Sequence, residues 1–218
     1  MVRLPGGSAL TGSPVGEDGR AEYELEHRVI LSGFLMAKHE VTQAQWAKVM
    51  GANPAHWKGD ALPVQMVSWE DVQEFCRRSV LKLPTEAQWE YACRGGSRLP
   101  FAFGKVLARD QANFTQLDGP SLREPVAVDS FGPNAFGLYC MHGNVAEWCL
   151  DTFDITFYSK RDAQLCDPVS ASPSETQVIR GGGWANLASG CRAAFRFGFP
   201  PSQRRGDLGF RPAFYPLP

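Results

Sequence analysis

The chain has 218 residues, 44% of them hydrophobic, and carries a formal net charge of -1 at neutral pH. This size allows a substantial core, and we expect a single domain over residues 1–218. The charge balance argues against a nucleic-acid partner, because phosphate binding needs a positive surface.

The sequence contains neither a membrane span nor an export signal. No run of about 18 apolar residues occurs, and the opening "MVRLPGGSAL" lacks the apolar stretch of a signal peptide. We therefore expect no membrane insertion and, by default, a cytoplasmic location. Display on a cell or phage surface stays open as an alternative.

The cysteines are scattered along the chain without a C-x-x-C pair. They are Cys76, Cys93, Cys140, Cys149, Cys166 and Cys191. This spacing argues against a zinc site, and buried free thiols are the default expectation. Whether Cys93 and Cys191 pair with each other stays open.

The first predicted elements are short strands followed by a helix. Residues 1–14 are typical of strand, turn and strand, and residues 27–36 of a buried strand run. Thr42, with Gln45 three residues later, predicts a capping box, and Gly51 predicts the end of that helix.

Two further helices are predicted from caps and apolar spacing. One begins at Ser68 and keeps a helical apolar pattern to about Arg78. The next begins at Thr85, with Gln88 in the capping-box position, and runs to Gly95.

Helical periodicity disappears after residue 96. Turns and short strands follow, residues 150–178 are expected to form a long loop, and strands are predicted at "TQVIRGGGW" and "LGFRPAF". The chain is therefore predicted to be α+β and loop-rich, with short strands and two to three helices.

Six stretches in a fixed order together resemble the formylglycine-generating enzyme family, also called sulfatase-modifying-factor domains. The stretches are "HEVTQAQW", "LPVQMVSWEDVQEFC", "LPTEAQWEYACRGG", "FGPNAFGLYCMHGNVAEWCLD", "VIRGGGW" and "LGFRPAF". The resemblance implies a C-type-lectin-like fold with little regular secondary structure.

The resemblance also implies structural calcium sites. One would use the carbonyls of Gly143 and Val145 and the carboxylate of Glu147, with Cys140 where the family usually has Asn. Oxygen ligands of this kind suit Ca²⁺. The alternative, left open, is that Glu147 is a buried carboxylate satisfied by protein donors.

A second implied calcium site would use Asn113 and the carbonyl of Phe114. Its acidic partner is not evident in the sequence, and Asp118 is the suggestion.

The family's enzymes bind copper through two cysteines that follow the "GG" of the C-terminal motif. The matching positions in this chain are Asn186 and a place near 188–190, and neither holds cysteine. Because Cu(I) needs thiolate ligands, we expect no copper, no catalytic residues and no oxidase activity.

One branch of this fold, the variable proteins of diversity-generating retroelements, resembles the segment 180–213 closely. There the C-terminal segment is a ligand-binding surface whose codons are rewritten at adenines. The fixed frame would be Trp184, Arg192, Arg196, Gly209, Phe210 and Arg211. The predicted variable, ligand-binding positions are Ala185, Asn186, Leu187, Gly190, Phe195, Phe197, Gly198, Phe199, Arg205, Gly206 and Asp207.

The three alternating phenylalanines of this segment allow two interpretations. They form an exposed binding patch, since aromatics and Arg dominate binding hot spots, or they line a buried strand at period two. Gly198 and the prolines that follow favour the patch. The sequence therefore predicts a non-catalytic binding protein for an unidentified protein or surface ligand. An altered-site oxidase and a pseudo-enzyme that binds a peptide are the alternatives.

Overall fold

A computed structural model describes residues 1–117, 119, 121–160 and 165–215. Three α-helices occur in this part of the chain: α1 Gln43–Met50, α2 Trp69–Ser79 and α3 Glu86–Arg94. The strands are β1 Val2–Leu4, β2 Gly7–Thr11, β3 His27–Leu31, β4 Phe34–Met36, β5 Ala146–Thr152, β6 Gln177–Arg180, β7 Arg196–Phe199, β8 Leu208–Gly209 and β9 Ala213–Phe214. The predicted α+β, loop-rich architecture is confirmed.

All three helices begin with a capping box in which the cap residue and the third helical residue bond each other's backbone N–H. The pairs are Thr42 with Gln45, Ser68 with Asp71, and Thr85 with Gln88. Such pairs satisfy backbone donors that have no partner inside the helix. The two predicted capping boxes are confirmed, and α1 ends at Gly51 in the left-handed conformation, as expected.

The strands form three small sheets. One contains β1, β4 and β9, a second pairs β2 with β3, and the largest has the order β7-β6-β5-β8. In the four-stranded sheet β7, β6 and β5 are antiparallel, whereas β8 lies parallel to β5. A main core packs α1 and α2 against one face of this sheet, around Trp46, Phe75 and Trp148.

The C-terminal stretch "LGFRPAF" was expected to be one strand, and the structure corrects this. Leu208–Gly209 joins the four-stranded sheet, whereas Ala213–Phe214 joins the three-stranded one. Phe210 and Arg211 lie between these two short strands and are fully buried. The break follows because the chain crosses from one sheet to the other at these two side chains.

No helix among the described residues is long and apolar enough to span a membrane. The cysteines found there are all free thiols, so Cys93 and Cys191 do not form a disulfide. Five of the six are buried and Cys166 is exposed, which agrees with the expectation of buried thiols.

Candidate functional site

A cavity of about 170 Å³ lies on one face of the four-stranded sheet. Each of the four strands contributes at least one apolar side chain to its lining. These residues are Ala146 from β5, Ile179 from β6, Phe197 and Phe199 from β7, and Leu208 from β8. The register explains the grouping, because Ala146 pairs with Leu208 and Ile179 pairs with Phe197. We call this the sheet-face cavity.

The rim of the sheet-face cavity is polar and aromatic. Asn186, Phe195, Arg205 and Asp207 lie there, and the buried Arg180 contributes to the wall. The side-chain oxygen of Asn186 accepts a hydrogen bond from the backbone N–H of Gly183 at 2.9 Å. That bond fixes the loop that follows β6.

Arg205 is held in place from two sides. Its Nε and one terminal nitrogen donate to the Asp207 carboxylate at 2.8 and 2.9 Å. Its guanidinium also lies 5.2 Å from the ring centroid of Phe199, a cation–π contact. The bonds to Asp207 raise the pKa of Arg205. The result is a cationic, aromatic edge on the cavity.

The phenylalanines of the segment agree in part with an exposed binding patch and in part with a strand of the core. Gly198 and the prolines were expected to argue against a regular buried strand, and β7 is an edge strand in which only Arg196 is fully buried. Phe197 is 44% exposed, and Phe199 is half-buried against the main core. The two rings meet edge to face, with centroids 5.3 Å apart. An edge strand presents these rings to solvent while the sheet supports them from behind.

Buried arginine–glutamate pairs fix the frame of the segment. The acceptors come from distant parts of the chain. The pairs are Arg180 with Glu90, Arg192 with Glu24, Arg196 with Glu86, and Arg211 with Glu147. A buried charge that loses its partner is strongly destabilising, so each pair restricts the backbone at its arginine. The predicted frame residues Arg192, Arg196 and Arg211 are therefore internal anchors.

The structure brings together six of the predicted ligand-binding positions. These are Asn186, Phe195, Phe197, Phe199, Arg205 and Asp207, which all line the sheet-face cavity. Ala185 and Leu187 are exposed on the loop beside it. The other three positions, Gly190, Gly198 and Gly206, are glycines in close-packed surroundings.

Two of these glycines lie where a side chain would collide with the fold. A Cβ at Gly198 would come within 2.7 Å of Phe153 Cβ and 2.9 Å of Thr176 Oγ1. A Cβ at Gly206 would overlap the indole of Trp57. Atoms this close must move apart. Substitution at Gly198 or Gly206 therefore requires the neighbouring residues to move.

Two features near the site were not predicted from the sequence. The first is the cavity floor of Ala146, Ile179 and Leu208, which required the strand register. The second is Trp57, which meets the predicted frame residue Trp184 edge to face beside Gly206, with ring centroids 5.1 Å apart and an angle of 79° between the rings. The indole of Trp184 also donates to the Gly206 carbonyl at 3.1 Å.

The predicted calcium ligand Glu147 is already engaged by protein donors. Glu147 accepts two hydrogen bonds from Arg211 and one from the Trp89 indole, all at 2.7 Å. A guanidinium in direct contact with the carboxylate repels a second cation. Cys140 supplies sulfur where Ca²⁺ prefers oxygen. Among the described residues no cluster of three or more His, Cys, Asp or Glu side chains is placed to hold a metal.

The second predicted calcium position is also engaged by the protein. The amide of Asn113 donates to the Glu124 carbonyl at 2.8 Å, and its backbone carbonyl accepts from the N–H of Asn144 at 2.8 Å. The suggested acidic partner, Asp118, lies outside the described residues. The family resemblance thus predicts calcium at these two positions, whereas the contacts of Glu147 and Asn113 predict that none is bound.

The residues at the family's copper positions do not fit a copper ion. Asn186 offers an amide instead of a thiolate, and the cysteine nearest to it in sequence, Cys191, is fully buried. Burial raises the pKa of the Cys191 thiol to about 12, so it stays protonated at neutral pH. Burial likewise raises the pKa of Cys93. Both thiols are buried, and neither stands at one of the two family positions that hold the copper-binding cysteines.

A larger cavity of about 590 Å³ is lined by residues 14–19, 98–101 and 105–107 together with Ala188, Ser189 and Arg192, so it borders the C-terminal segment near the family's second copper position. It contains none of the predicted ligand-binding positions. Its buried charges, Glu17 and Arg192, pair with each other at 2.6 Å. The sheet-face cavity is therefore the better candidate.

The chain matches the family described as Sulfatase-modifying factor enzyme 1-like domain over residues 1–214. It is 35% identical to the formylglycine-generating enzyme of Streptomyces coelicolor, over 97% of this chain and 88% of that protein. It also matches the serine/threonine-protein kinase pkn1 of Chlamydia pneumoniae at 30% identity, where it spans 37% of the relative's length.

Two solved structures have the same fold. Treponema denticola variable protein 1 aligns with a TM-score of 0.84 and 25% identity, over 99% of this chain and 95% of that one. PvdO from Pseudomonas aeruginosa aligns with a TM-score of 0.85 and 29% identity, over 97% and 92%. The predicted C-type-lectin-like fold of the formylglycine-generating-enzyme type is confirmed.

Proposed function

The chain belongs to the sulfatase-modifying factor enzyme 1-like family, which includes enzymes as well as a variable protein. We propose that, within this family, the chain is a non-catalytic binding protein. Its binding surface is the sheet-face cavity with the exposed loop of Ala185 and Leu187. The ligand is a protein or another surface ligand, and the segment 180–213 carries the diversified positions.

One observation supports this proposal above the others. Six of the eleven predicted positions surround one cavity, while Arg192 and Arg196 between them are held in buried ion pairs. The frame is thus held rigidly, and four of the predicted variable side chains are exposed beside it: Ala185, Leu187, Phe197 and Arg205. Rigid support lowers the entropy lost on binding, and exposed Phe and Arg side chains are suited to form a hot spot.

The non-catalytic part of the proposal rests on the chemistry of the side chains present. Copper-dependent oxidation needs thiolates, and Asn186 occupies the first of the two family positions. The sheet-face cavity itself is lined by no cysteine, histidine or serine among the described residues. Its lining combines hydrocarbon surface with hydrogen-bond donors, which suits recognition.

A selection experiment tests the binding role. A displayed peptide library is selected on the immobilised protein, and the binders are measured against Phe197→Ala and Phe199→Ala. We expect both changes to weaken binding at least tenfold while the thermal unfolding curve keeps its cooperative shape. Val106→Ala changes an apolar side chain in the larger cavity that is more exposed than Phe197; it is the control and should leave binding unchanged.

A genomic measurement tests the diversification. The DNA beside the gene is sequenced for a near-copy of the segment coding for residues 180–213 that differs mainly at adenines, next to a reverse-transcriptase gene. Its presence supports diversification. If the flanking DNA holds neither, the diversified-surface part of the proposal fails.

The second candidate function is an oxidase of the formylglycine-generating type with an altered site. The observation that favours it is the 35% identity to the Streptomyces coelicolor enzyme over nearly the whole chain. The test is incubation of the purified protein with Cu(I), oxygen and a cysteine-containing peptide, followed by mass spectrometry. Conversion of the cysteine to formylglycine would overturn the non-catalytic proposal, and an unmodified peptide would support it.

A further inference from the structure

The size of the sheet-face cavity limits what enters it. Its volume of about 170 Å³ is close to the roughly 150 Å³ of an engineered apolar cavity in another protein that binds benzene. Sites for whole drug-sized ligands have about 300–1,000 Å³. One aromatic ring therefore fits, and the rest of any ligand stays outside.

The walls of the cavity suit a ring. Phe195, Phe197 and Phe199 stand along one side, and Ile179 and Leu208 form part of the floor. Aromatic rings attract each other edge to face or offset-stacked, with centroids about 4.5–7 Å apart. The exposed face of Phe197 would be covered when a ring enters. An aliphatic side chain would fill the space without these ring contacts.

The rim of the cavity contains one donor that a ligand can reach. The carboxylate of Asp207 also lines the cavity, but it already accepts hydrogen bonds from Nε and Nη2 of Arg205. Nη1 of Arg205 has no partner among the described residues, and the Arg205 side chain is exposed at the rim. A ligand that supplies an acceptor there forms a charge-assisted hydrogen bond with Nη1.

The buried charges behind the cavity favour an anionic acceptor. Three arginines, Arg94, Arg180 and Arg196, share the two carboxylates of Glu86 and Glu90. A third buried carboxylate, Asp151, accepts from the backbone N–H of Glu86, and burial raises its pKa to about 7, so it carries only part of a negative charge at neutral pH. The cluster therefore keeps a small excess of positive charge beside the wall. A carboxylate near the ring of the ligand therefore complements the site better than an amine does.

We propose that the sheet-face cavity receives one aromatic side chain of a protein partner, with a carboxylate beside that side chain bonded to Arg205 at the rim. This inference rests on the proposed binding function and specifies its ligand class as an acidic–aromatic surface motif. The ring packs against the three phenylalanines, and the carboxylate takes the free Nη1 donors of Arg205.

Small probes test this inference directly. Binding of phenylacetate, 2-phenylethylammonium and acetate is measured by two-dimensional NMR of the ¹⁵N-labelled protein. We expect phenylacetate to shift the amide signals of Ile179, Phe197 and Leu208, and to bind at least about fivefold more tightly than either of the other probes. If acetate binds as tightly as phenylacetate, the aromatic ring contributes nothing to binding. If 2-phenylethylammonium binds as tightly, the carboxylate contributes nothing. Either result overturns the inference.

Neighbouring arginines provide a matched pair of variants. Arg205→Gln should weaken phenylacetate about tenfold, the effect of losing one charge-assisted hydrogen bond. Arg204→Gln, whose arginine pairs with Asp71 outside the cavity lining, should leave phenylacetate binding unchanged. Equal effects of the two changes would contradict a specific role for Arg205.

The selected peptides separate this inference from the binding function. If they lose affinity with Phe197→Ala but phenylacetate does not bind and no aromatic–acidic motif is enriched, the inference fails and the binding role stands. If the peptides are insensitive to both Phe197→Ala and Phe199→Ala, the binding role of this face fails as well.

Discussion

Arg211 and Glu147 form a doubly hydrogen-bonded ion pair in the interior, with both distances at 2.7 Å and both side chains buried. Arg211 also donates to the Tyr139 carbonyl at 2.8 Å. Through this pair the last part of the chain is tied to β5 and to the loop before it. The same carboxylate was the candidate calcium ligand, so the bond to Arg211 and the binding of calcium would compete for Glu147.

Removing the charge of Glu147 should destabilise the protein strongly. Glu147→Gln keeps the shape of the side chain but removes the carboxylate bonded to Arg211. The carboxyl group that remains near Arg211 is that of Glu40, whose pKa burial raises well above its usual value, so it replaces the lost charge poorly. Loss of one partner from a buried pair costs about 3–5 kcal/mol, to be read from urea unfolding. Glu74→Gln is the control, because Glu74 pairs with Arg77 and Arg78 on the exposed face of α2. A loss as small as that of the control would show that the buried pair contributes little.

Chelation should leave the thermal stability unchanged. The Glu147 carboxylate is already neutralised by Arg211, so no calcium is needed to compensate its charge. The melting temperature is measured after dialysis against EDTA and again after CaCl₂ is added back. A fall of several degrees that CaCl₂ reverses would establish a structural calcium ion, because a ligand that binds the native state raises its stability.

The helices were predictable because their signals are local. A Thr42–Gln45 or Thr85–Gln88 pair can be recognised within four residues, and the structure contains both. The ion pairs that fix the candidate site were not predictable in the same way. Arg196 and Glu86 are 110 positions apart, and Arg192 and Glu17 are 175 apart. Composition and spacing contain no information on which carboxylate meets which arginine.

The candidate site was predictable in its aromatic and charged members but not in its glycines. Phe197 and Arg205 combine residue type with an exposed position, and both features follow from the segment itself. Gly198 belongs to the same set by residue type alone. What excludes its variation is Phe153, a residue from another segment whose approach becomes known only in three dimensions.

Substitution by serine should therefore destabilise the protein at one predicted variable position and leave its stability nearly unchanged at another. Gly198→Ser places atoms against Phe153 and Thr176 and should cost roughly 1–3 kcal/mol, the usual effect of overpacking. Leu187→Ser changes a side chain that is 41% exposed and should stay within about 0.5 kcal/mol. Urea unfolding of both variants gives the comparison. If Gly198→Ser is as stable as Leu187→Ser, the close approach of Phe153 does not restrict this position.

Protonation of His142 should destabilise the fold in mild acid. The ring is fully buried, where its Nε2 accepts from the N–H of Ala102 at 3.0 Å and its Nδ1 donates to the Cys191 carbonyl at 2.8 Å. Burial lowers the pKa of His142 from its usual 6.5 to about 4. The neutral ring thus stabilises the fold fully above about pH 6.5, and this contribution is lost as the pH falls toward 4.

The measurement is the free energy of unfolding between pH 4 and 7 for the wild type and His142→Gln. Because the variant has no group that titrates at this position, the difference between the two curves should fall as the pH is lowered from 6.5 to 4. His56→Gln, a change at an exposed histidine, should give a parallel curve and serves as the control. A difference that stays constant over this range would mean that the buried ring gains its proton as easily as a histidine in the unfolded chain.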